Sequence, residues 1–322
     1  MAQANIASSG SVSAVTVPAH QLAGPGDFIE LMKPRVMSLV VFTTVVGMLM
    51  APAMPNPLLM VIAIIAIAAG AGASGAINQW YDRDIDAIMK RTQNRPIPAG
   101  KVVPEEALAL GIIISMLSVL VLWAAVGVAA AALLAFTIFF YAVVYSVWLK
   151  RSTPQNIVIG GASGAFPPAI GWLAAGGGFT LEPLILFSII FIWTPPHFWA
   201  LALVKNDDYT RAGIPMMPVV AGASSTKTQI LIYSIALSVI AVTPSFIGMS
   251  SVYYGLVAGG LSVIFINYAV ALKKADAASS DAKAMALFKF SILYLFLVFL
   301  ALGIDGAVQS ALSATMAGMM GG

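Results

Sequence analysis

Cysteine is absent from the sequence, and charged residues are scarce, at 9% of 322 residues. Without cysteine the chain has no disulfide, thiolate metal site, iron-sulfur cluster or thiol nucleophile. A soluble domain has roughly 25% charged residues, so this chain has too little polar surface to contact water on all sides. Apolar residues make up 60% of the sequence, and the mean hydropathy is +0.95. The composition predicts an integral membrane protein, in which any metal is bound by oxygen or imidazole ligands.

Nine apolar segments have about 20 residues each, the length that crosses the hydrocarbon core of a bilayer. They cover residues 36–54, 57–79, 105–124, 127–148, 156–175, 183–204, 228–248, 251–272 and 286–306. The sequence therefore predicts an all-α integral membrane protein with nine transmembrane helices.

The basic residues lie in alternate connections between these segments. The connections after the first, third, fifth and seventh segments contain no Lys or Arg, and neither does the C-terminal tail. The positive-inside rule assigns the basic side to the cytoplasm, which predicts a cytoplasmic N terminus, an external C terminus and a site that faces the cytoplasm. A net charge of +3 distributed in this way does not form the basic surface that nucleic-acid binding needs. No nucleic-acid partner is expected.

The N-terminal residues and two long hydrophilic loops define the organisation of the chain. Residues 1–26 are rich in Ala, Ser, Gly and Val and lack the basic start of a signal peptide. We expect a disordered tail there, followed by a single transmembrane domain over 27–322. The loops at 80–104 and 205–227 share an order of acidic, Arg, Pro and Ala-Gly residues. This similarity indicates a duplicated four-helix unit with a ninth helix appended, an arrangement that often places a site at the repeat interface.

Three polar residues recur every four positions at the end of the second segment: Asn78, Asp82 and Asp86. On a continuous helix this spacing puts them on one face. Carboxylate and amide oxygens suit a hard cation such as Mg²⁺, which commonly completes its shell with substrate phosphates. The alternative is a solvated, salt-bridged loop at the membrane surface. The depth of Asn78 favours function, because polar groups are costly inside a membrane.

Two arginines and a second acidic loop extend this candidate site. Arg91 and Arg95 carry guanidinium groups suited to phosphate oxygens. The second loop contains Lys205, Asp207, Asp208, Tyr209 and Arg211. Carboxylates of two facing loops would repel each other unless a cation lay between them, so a second Mg²⁺ is a hypothesis. An interfacial anchor is an equally good explanation for the lysine of this loop.

His197 lies in an aromatic stretch of the sixth segment, eight residues before Lys205. Helical spacing puts the two side chains on one face, so we expect the imidazole to point toward the cavity of the charged loops. A lone intramembrane histidine is more often a hydrogen-bonded packing residue, and this alternative stays open. Tyr145, Lys150 and Arg151 close the fourth segment, where tyrosines are typical of the membrane interface and basic residues of the positive side.

Five stretches carry the most specific motifs of the chain. They are 78–86, 89–98, 150–161, 193–199 and 208–218. Together they resemble the UbiA superfamily of membrane prenyltransferases, and within it the branch that farnesylates heme. The superfamily's motif Asn-x-x-x-Asp-x-x-x-Asp is met by Asn78, Asp82 and Asp86. Its second motif, Asp-x-x-x-Asp, is not met, because the fourth residue after Asp207 is Arg211, so ligation of a second metal stays open.

The resemblance implies transfer of a farnesyl group from farnesyl diphosphate to a vinyl group of heme b, with addition of water, giving heme O. It implies Mg²⁺, as one or two ions, as the cofactor, and heme b as a substrate rather than a cofactor. It places the chain in the bilayer of a bacterial inner membrane, and it suggests heme A synthase or cytochrome oxidase assembly proteins as partners.

Residue roles also follow from the resemblance. The expected metal ligands are Asn78, Asp82, Asp86 and Asp208. The expected catalytic residues are these four together with Lys205 and Tyr209. The expected substrate-binding residues are Arg91, Arg95, Tyr145, Lys150, Arg151, Asn156, His197 and Arg211.

Two other functions are open at the level of the sequence. A sibling prenyltransferase would use the same metal motif on an aromatic or quinone precursor. His197 and the pair Asp208-Tyr209 favour heme, although no spacing distinguishes the acceptors. A transporter would also have many helices and a repeat. Alternating access needs polar pathways on both sides, whereas the charged loops of this chain lie on one side only.

Overall fold

The computed structural model describes residues 23–53 and 56–320, and every regular element in these ranges is helical. The helices are α1 (Pro25–Leu31), α2 (Pro34–Met50), α3 (Pro57–Tyr81), α4 (Arg83–Ile88), α5 (Pro104–Val126), α6 (Val128–Phe139), α7 (Asn156–Gly160), α8 (Ala162–Ala174), α9 (Leu181–Val204), α10 (Asn206–Arg211), α11 (Met217–Phe246), α12 (Val252–Lys273) and α13 (Ala277–Met320). α6 continues directly as a π-helix over Phe140–Leu149.

The described residues contain eight helical runs that are long and apolar enough to span a membrane. α1 and α2, which are bent by 56° at their junction, make a ninth if the pair is one span. The prediction of an all-α membrane protein is confirmed, and the predicted number of spans agrees with this count.

Prolines mark several of the helix starts. α1, α2, α3 and α5 each begin at a proline. Proline has a helical φ and lacks the N–H group that a first helical turn leaves unpaired. At α3, the side-chain oxygen of Asn56 also accepts a hydrogen bond from Leu58 N at 2.8 Å, as a helix-capping residue does. These starts are therefore specified by local sequence.

Two glycines allow α2 and α8 to touch through their backbones. A Cβ at Gly47 would lie 2.0 Å from the carbonyl oxygen of Pro168, and a Cβ at Gly171 would lie 2.2 Å from that of Thr44. Small residues have this role in membranes, where helices associate by close packing and gain little from apolar burial. The contact leaves no space for a larger residue at either glycine.

Helix ends and short helices collect at one end of the bundle, which we call the basic end. α3 is followed by α4, and α9 is followed by α10. Each short helix leads into the next span, so the two hydrophilic loops have the same layout. The turn between the π-helix and α7 and the connection between α12 and α13 lie at the same end. The predicted site residues outside the spans all belong to this end.

The predicted N-terminal tail overlaps the start of the fold. Residues 1–22 lie outside the described residues, but α1 begins at Pro25, inside the range 1–26. Leu31 is buried, and its carbonyl oxygen accepts a hydrogen bond from Gln79 Nε2 at 2.7 Å. This contact attaches α1 to α3 and sets the position of the bend before α2.

Two helices extend well beyond their predicted spans. The seventh span is expected at 228–248, whereas α11 begins at Met217 and contains a break at Gly222, where φ is 76° and ψ is 166°. The ninth is expected at 286–306, whereas α13 covers Ala277–Met320. Hydropathy detects only the apolar part of a helix, so the polar extensions of both helices escape prediction.

Candidate active site

Asn78, Asp82 and Asp86 lie on one buried face where α3 passes into α4. The helix is interrupted at Asp82, where φ is −87° and ψ is 6°. Backbone hydrogen bonds nevertheless continue through the junction, from Asp82 N to Asn78 O at 2.9 Å and from Asp86 N to Asp82 O at 2.8 Å. The four-residue register is therefore kept. The three residues are at most 3% exposed, whereas the Asp84 side chain is 59% exposed.

Asp82 is the centre of a hydrogen-bonded network. Its Oδ2 accepts a hydrogen bond from Asn78 Nδ2 at 2.6 Å and another from Lys150 Nζ. The nearest guanidinium nitrogen of Arg151 is 3.6 Å from Oδ1, too far for a hydrogen bond. This Oδ1 atom is buried and has no hydrogen-bond partner within the described residues. Buried carboxylate oxygens without a donor are rare, so this atom is a candidate ligand for a cation.

Lys33 enters the network from the bend between α1 and α2. Its Nζ donates to Asn78 Oδ1 at 3.0 Å and to the Tyr141 hydroxyl at 3.3 Å. Its backbone is left-handed, with φ 53° and ψ 59°, a conformation that is uncommon outside glycine and is enriched at functional positions. In the sequence, the position of Lys33 just before the first apolar segment indicates only the basic side of the membrane. The Lys-Pro pair before the first span is the one sequence feature that marks this position, but it does not specify the direction of the lysine side chain.

The π-helix provides a further contact to Asn78. Ser146 Oγ accepts a hydrogen bond from Asn78 Nδ2 at 2.9 Å and donates one to the carbonyl oxygen of Tyr141 at 2.8 Å. The Asn78 amide is thus oriented by Lys33 on its oxygen and by Asp82 and Ser146 on its nitrogen. π-Helical segments are frequent at functional sites. Sequence offers no signal for Ser146, since a serine in a span commonly bonds to its own backbone.

Tyr145 is held between another tyrosine and α7. The rings of Tyr145 and Tyr141 stack with their centroids 5.4 Å apart. A Cβ at Gly160 would lie 2.1 Å from Tyr145 Cδ2, so the ring lies directly against the α7 backbone. Any side chain at Gly160 would displace this predicted substrate-binding residue.

Asn156 orders the turn that carries Lys150. Its Nδ2 donates to the carbonyl oxygen of Thr153 at 2.8 Å and to that of Lys150 at 3.3 Å. Asn156 is buried, and its Oδ1 has no hydrogen-bond partner within the described residues. The described contacts make Asn156 a positioning residue for the lysine that pairs with Asp82.

Arg95 pairs with the last residue of the first motif. Its guanidinium NH1 lies 2.6 Å from Asp86 Oδ2. Thr92 Oγ1 donates to the carbonyl oxygen of Asp86 at 2.9 Å, which holds the following turn against α4. A guanidinium has five N–H donors, and this ion pair uses one of them. Arg95 therefore has donors left for phosphate oxygens.

The exposed Asp84 holds Arg151 beside the network. Arg151 makes two hydrogen bonds to its carboxylate, at 2.6 and 2.7 Å, and a third to the carbonyl oxygen of Tyr81 at 3.2 Å. The hydrogen bonds from Arg151 lower the pKa of Asp84 below its usual value. Asp84 thus positions a cation that lies between the surface and Asp82.

The two loops meet through Arg91 and Tyr209. The guanidinium of Arg91 lies over the tyrosine ring, 5.0 Å from its centroid, a favourable cation–π geometry. Tyr209 is buried, and burial raises the pKa of its hydroxyl, so the hydroxyl is neutral near pH 7. Asp208 pairs with Arg211 on the same short helix, α10. This cation–π contact lies beside a buried hydrophobic cluster that also joins the loops, with Ile85 and Met89 from the first loop and Ile214 and Met216 from the second.

Lys205 lies at the junction of α9 and α10, outside the network. Its side chain is exposed, and it makes no ion pair with any carboxylate among the described residues. Its backbone, with φ −108° and ψ 22°, is no longer helical.

His197 packs between α9 and α13. Its Nδ1 is hydrogen-bonded to Ser291 Oγ at 2.6 Å. Its ring stacks on Trp193 and on Phe288, with centroid distances of 4.3 and 4.7 Å. These contacts correct the expectation that the imidazole points toward the charged loops, because eight helical residues leave the side chains of His197 and Lys205 about 80° apart around the axis.

The oxygen donors of the first motif fit a hard cation. Asn78, Asp82 and Asp86 present amide and carboxylate oxygens on one face, and Oδ1 of Asp82 has no donor among the described residues. In the part of the chain that the structure describes, no three Asp, Glu or His side chains converge. A Mg²⁺ bound here would therefore complete its shell with water and substrate oxygens, as Mg²⁺ commonly does at phosphate-binding sites.

Comparisons with known proteins identify the family of the chain. The sequence model of the UbiA prenyltransferase family matches residues 40–305. A protoheme IX farnesyltransferase from Rhizobium rhizogenes is 56% identical over 299 residues, which are 92% of this chain and 94% of the relative. One from Methylocella silvestris is 57% identical over 295 residues, 91% and 93% of the two chains.

Solved structures share the fold at low sequence identity. A UbiA homolog from Archaeoglobus fulgidus bound to GPP and Mg²⁺ has a TM-score of 0.64 and 17% identity, and the match covers 86% of this chain and 99% of that one. A digeranylgeranylglyceryl phosphate synthase has a TM-score of 0.73 and 16% identity, with 88% and 98% covered. The chain belongs to the UbiA prenyltransferase family.

Proposed function

We propose that this chain transfers a farnesyl group from farnesyl diphosphate to a vinyl group of heme b, with addition of water, to give heme O. The observation that carries the proposal is the similarity to protoheme IX farnesyltransferases, at 56% and 57% identity over more than 90% of both chains. The buried acidic face and the cations around it provide the chemistry that an allylic diphosphate requires.

The cations of the network are suited to bind the diphosphate. Lys33, Lys150 and Arg95 each contact a residue of the first motif, namely Asn78, Asp82 and Asp86. Departure of the diphosphate places negative charge on its bridging oxygen, and fixed cations in a site of low dielectric stabilise such charge strongly. Arg95 and Arg91 contribute hydrogen-bond donors in fork geometry, which match phosphate oxygens.

The reaction requires no oxidant or reductant. The allylic C–O bond breaks, and its electron pair leaves with the diphosphate. The terminal vinyl carbon of heme b bonds to the farnesyl carbon, and the adjacent carbon becomes positive. Water adds there and loses a proton. The apolar interior of the bundle keeps other water away from the allylic cation.

Mg²⁺ is the proposed cofactor, as one or two ions, and when bound it supplies positive charge that neutralises the diphosphate. Asn78, Asp82 and Asp86 are the proposed ligands, supported by the unpartnered oxygen of Asp82. Asp208 is proposed as a further ligand. In this role its carboxylate would release Arg211, with which it is paired, and bind the metal.

The acceptor side is proposed to include Tyr145, Tyr209 and His197. The Nδ1 atom of His197 is bonded to Ser291, so Nε2 is the ring nitrogen available to a ligand. Lys205, exposed beside α10, is proposed to attract the anionic substrates to the basic end.

We also propose which membrane holds the chain and on which side of that membrane the site lies. The concentration of Lys and Arg at the basic end supports a cytoplasmic site with a cytoplasmic N terminus and an external C terminus. We place the chain in a bacterial inner membrane, with heme A synthase or cytochrome oxidase assembly proteins as the partners that would take the product.

An acceptor panel tests the function. The purified chain in lipid nanodiscs would be incubated with labelled farnesyl diphosphate, with and without Mg²⁺, and with heme b or an aromatic acid as acceptor. We expect labelled heme only with Mg²⁺ and heme b, and none with the Asp82→Asn variant. Labelled aromatic acid would indicate the sibling activity, and no acceptor-dependent release of diphosphate would contradict both activities.

A further inference from the structure

A cavity at the basic end lies outside the carboxylate network. Its volume is about 490 Å³, and it is bordered by the end of α9, the start of α11, the end of α12 and the start of α13. Its polar lining residues are Ser224, Lys227, Lys273, Ser280 and Asp281. None of these has a role in the proposed prenyl transfer.

Lys227 is a buried cation in the wall of this cavity. It is 8% exposed, and its Nζ donates to the carbonyl oxygen of Ala275 at 3.0 Å. Within the described residues it makes no ion pair with a carboxylate. An ammonium group has three donors, and a buried charge is costly unless it is paired. The lysine therefore has donors and charge available to an anion in the cavity.

A second lysine, from α12, also lines the cavity. Lys273 is half-buried and donates to Thr228 Oγ1. Asp281 is the one acidic residue of the cavity lining, so the lining has one positive charge in excess. The nearby Asp276 caps α13, with its Oδ1 accepting from Ser279 N at 3.0 Å, and it is exposed, so water screens its charge from the cavity. The cavity thus suits a ligand with a single negative charge and polar groups beside it.

We propose that this cavity binds the phosphodiester head group of an anionic phospholipid, with Lys227 and Lys273 as its cationic contacts. Basic pockets between transmembrane helices bind lipid head groups in other membrane proteins. Ser280 and Ser224 offer hydroxyl groups to the polar part of the head group.

The surface next to the cavity explains why a lipid fits better than free phosphate. Ser224 and Ile235 are eleven residues apart on α11. Because eleven residues make about three full turns, the two side chains lie on almost the same face of the helix. Ile235 is exposed, and so is Ile232 one turn closer to the cavity. An acyl chain can follow this apolar surface while the phosphate stays between the two lysines. Inorganic phosphate would use only the polar half of this surface.

Lipid retention in native mass spectrometry tests the proposal. The full chain would be released from nanodiscs of phosphatidylcholine with a minor fraction of phosphatidylglycerol, and the lipids that stay bound would be counted. We expect retained phosphatidylglycerol in the unmodified chain and about fivefold less with Lys227→Gln or Lys273→Gln, the effect of one lysine near a lipid surface. Lys274→Gln is the matched control, because Lys274 is exposed and does not line the cavity.

Three results would overturn the proposal. The first is an equal loss of phosphatidylglycerol in all three variants, which would indicate diffuse attraction to a basic surface. The second is equal retention of the two lipids by the unmodified chain. The third is displacement of the bound lipid by inorganic phosphate. Ser280→Asp adds negative charge and keeps both lysines, so it must also reduce retention, even where the variant of the buried Lys227 does not fold.

Discussion

Replacing Asp82 by Asn keeps the size of the side chain and removes its charge. Asp82 is fully buried, and its partner Lys150 is 13% exposed. Asp82 is a proposed ligand of the metal that neutralises the leaving diphosphate, and the loss of one fixed electrostatic contact to a transition state lowers kcat by about a hundredfold to a thousandfold. The exposed Asp84 is the control, because an exposed ion pair contributes about 1 kcal/mol at most, which corresponds to less than tenfold in rate.

The assay for this pair of variants is formation of farnesylated heme by the chain in nanodiscs. Thermal unfolding of each variant separates a loss of folded protein from a loss of chemistry. We expect Asp82→Asn to be severely impaired at a normal folded fraction and Asp84→Asn to retain most activity. Equal impairment of the two variants would refute the reading in which Asn78, Asp82 and Asp86 form one functional face.

Other substitutions test separate parts of the account. Arg95→Lys keeps the charge but loses the fork, so we expect KM for farnesyl diphosphate to rise about tenfold, whereas Lys101→Ala in the same loop should have no such effect. Gly160→Ala should lower activity about tenfold, because overpacking costs about 1–3 kcal/mol and its Cβ would meet a tyrosine ring. Gly164→Ala should be tolerated, since nothing lies within 4 Å of a Cβ there. His197→Ala should lower the unfolding temperature through lost stacking, and a shift of the heme Soret band in that variant would show that the imidazole also contacts heme.

Sequence patterns predicted the spans and the first motif for clear physical reasons. A run of about 20 apolar residues matches the thickness of the bilayer core, and residues spaced four apart lie on one face of a helix. The face of Asn78, Asp82 and Asp86 persists across the interruption at Asp82, because backbone hydrogen bonds bridge it.

The remaining site residues depend on tertiary structure. Lys33 reaches Asn78 only because the chain bends between α1 and α2, and Ser146 only because a π-helix follows α6. Neither the bend nor the π-helix leaves a periodic pattern of residues in the sequence. The direction of His197 could not be derived from Lys205, since eight helical residues leave the two side chains about 80° apart and the packing of α13 decides what the imidazole contacts.

The origin of the product's new oxygen tests the central claim most directly. The chain in nanodiscs would be supplied with heme b, farnesyl diphosphate and Mg²⁺ in water enriched in oxygen-18, and the product would be analysed by mass spectrometry. The account predicts a heme that carries one farnesyl group and one oxygen-18 atom, with release of one diphosphate per product. A heme without the farnesyl group, or a farnesylated product whose hydroxyl oxygen is unlabelled, would contradict it.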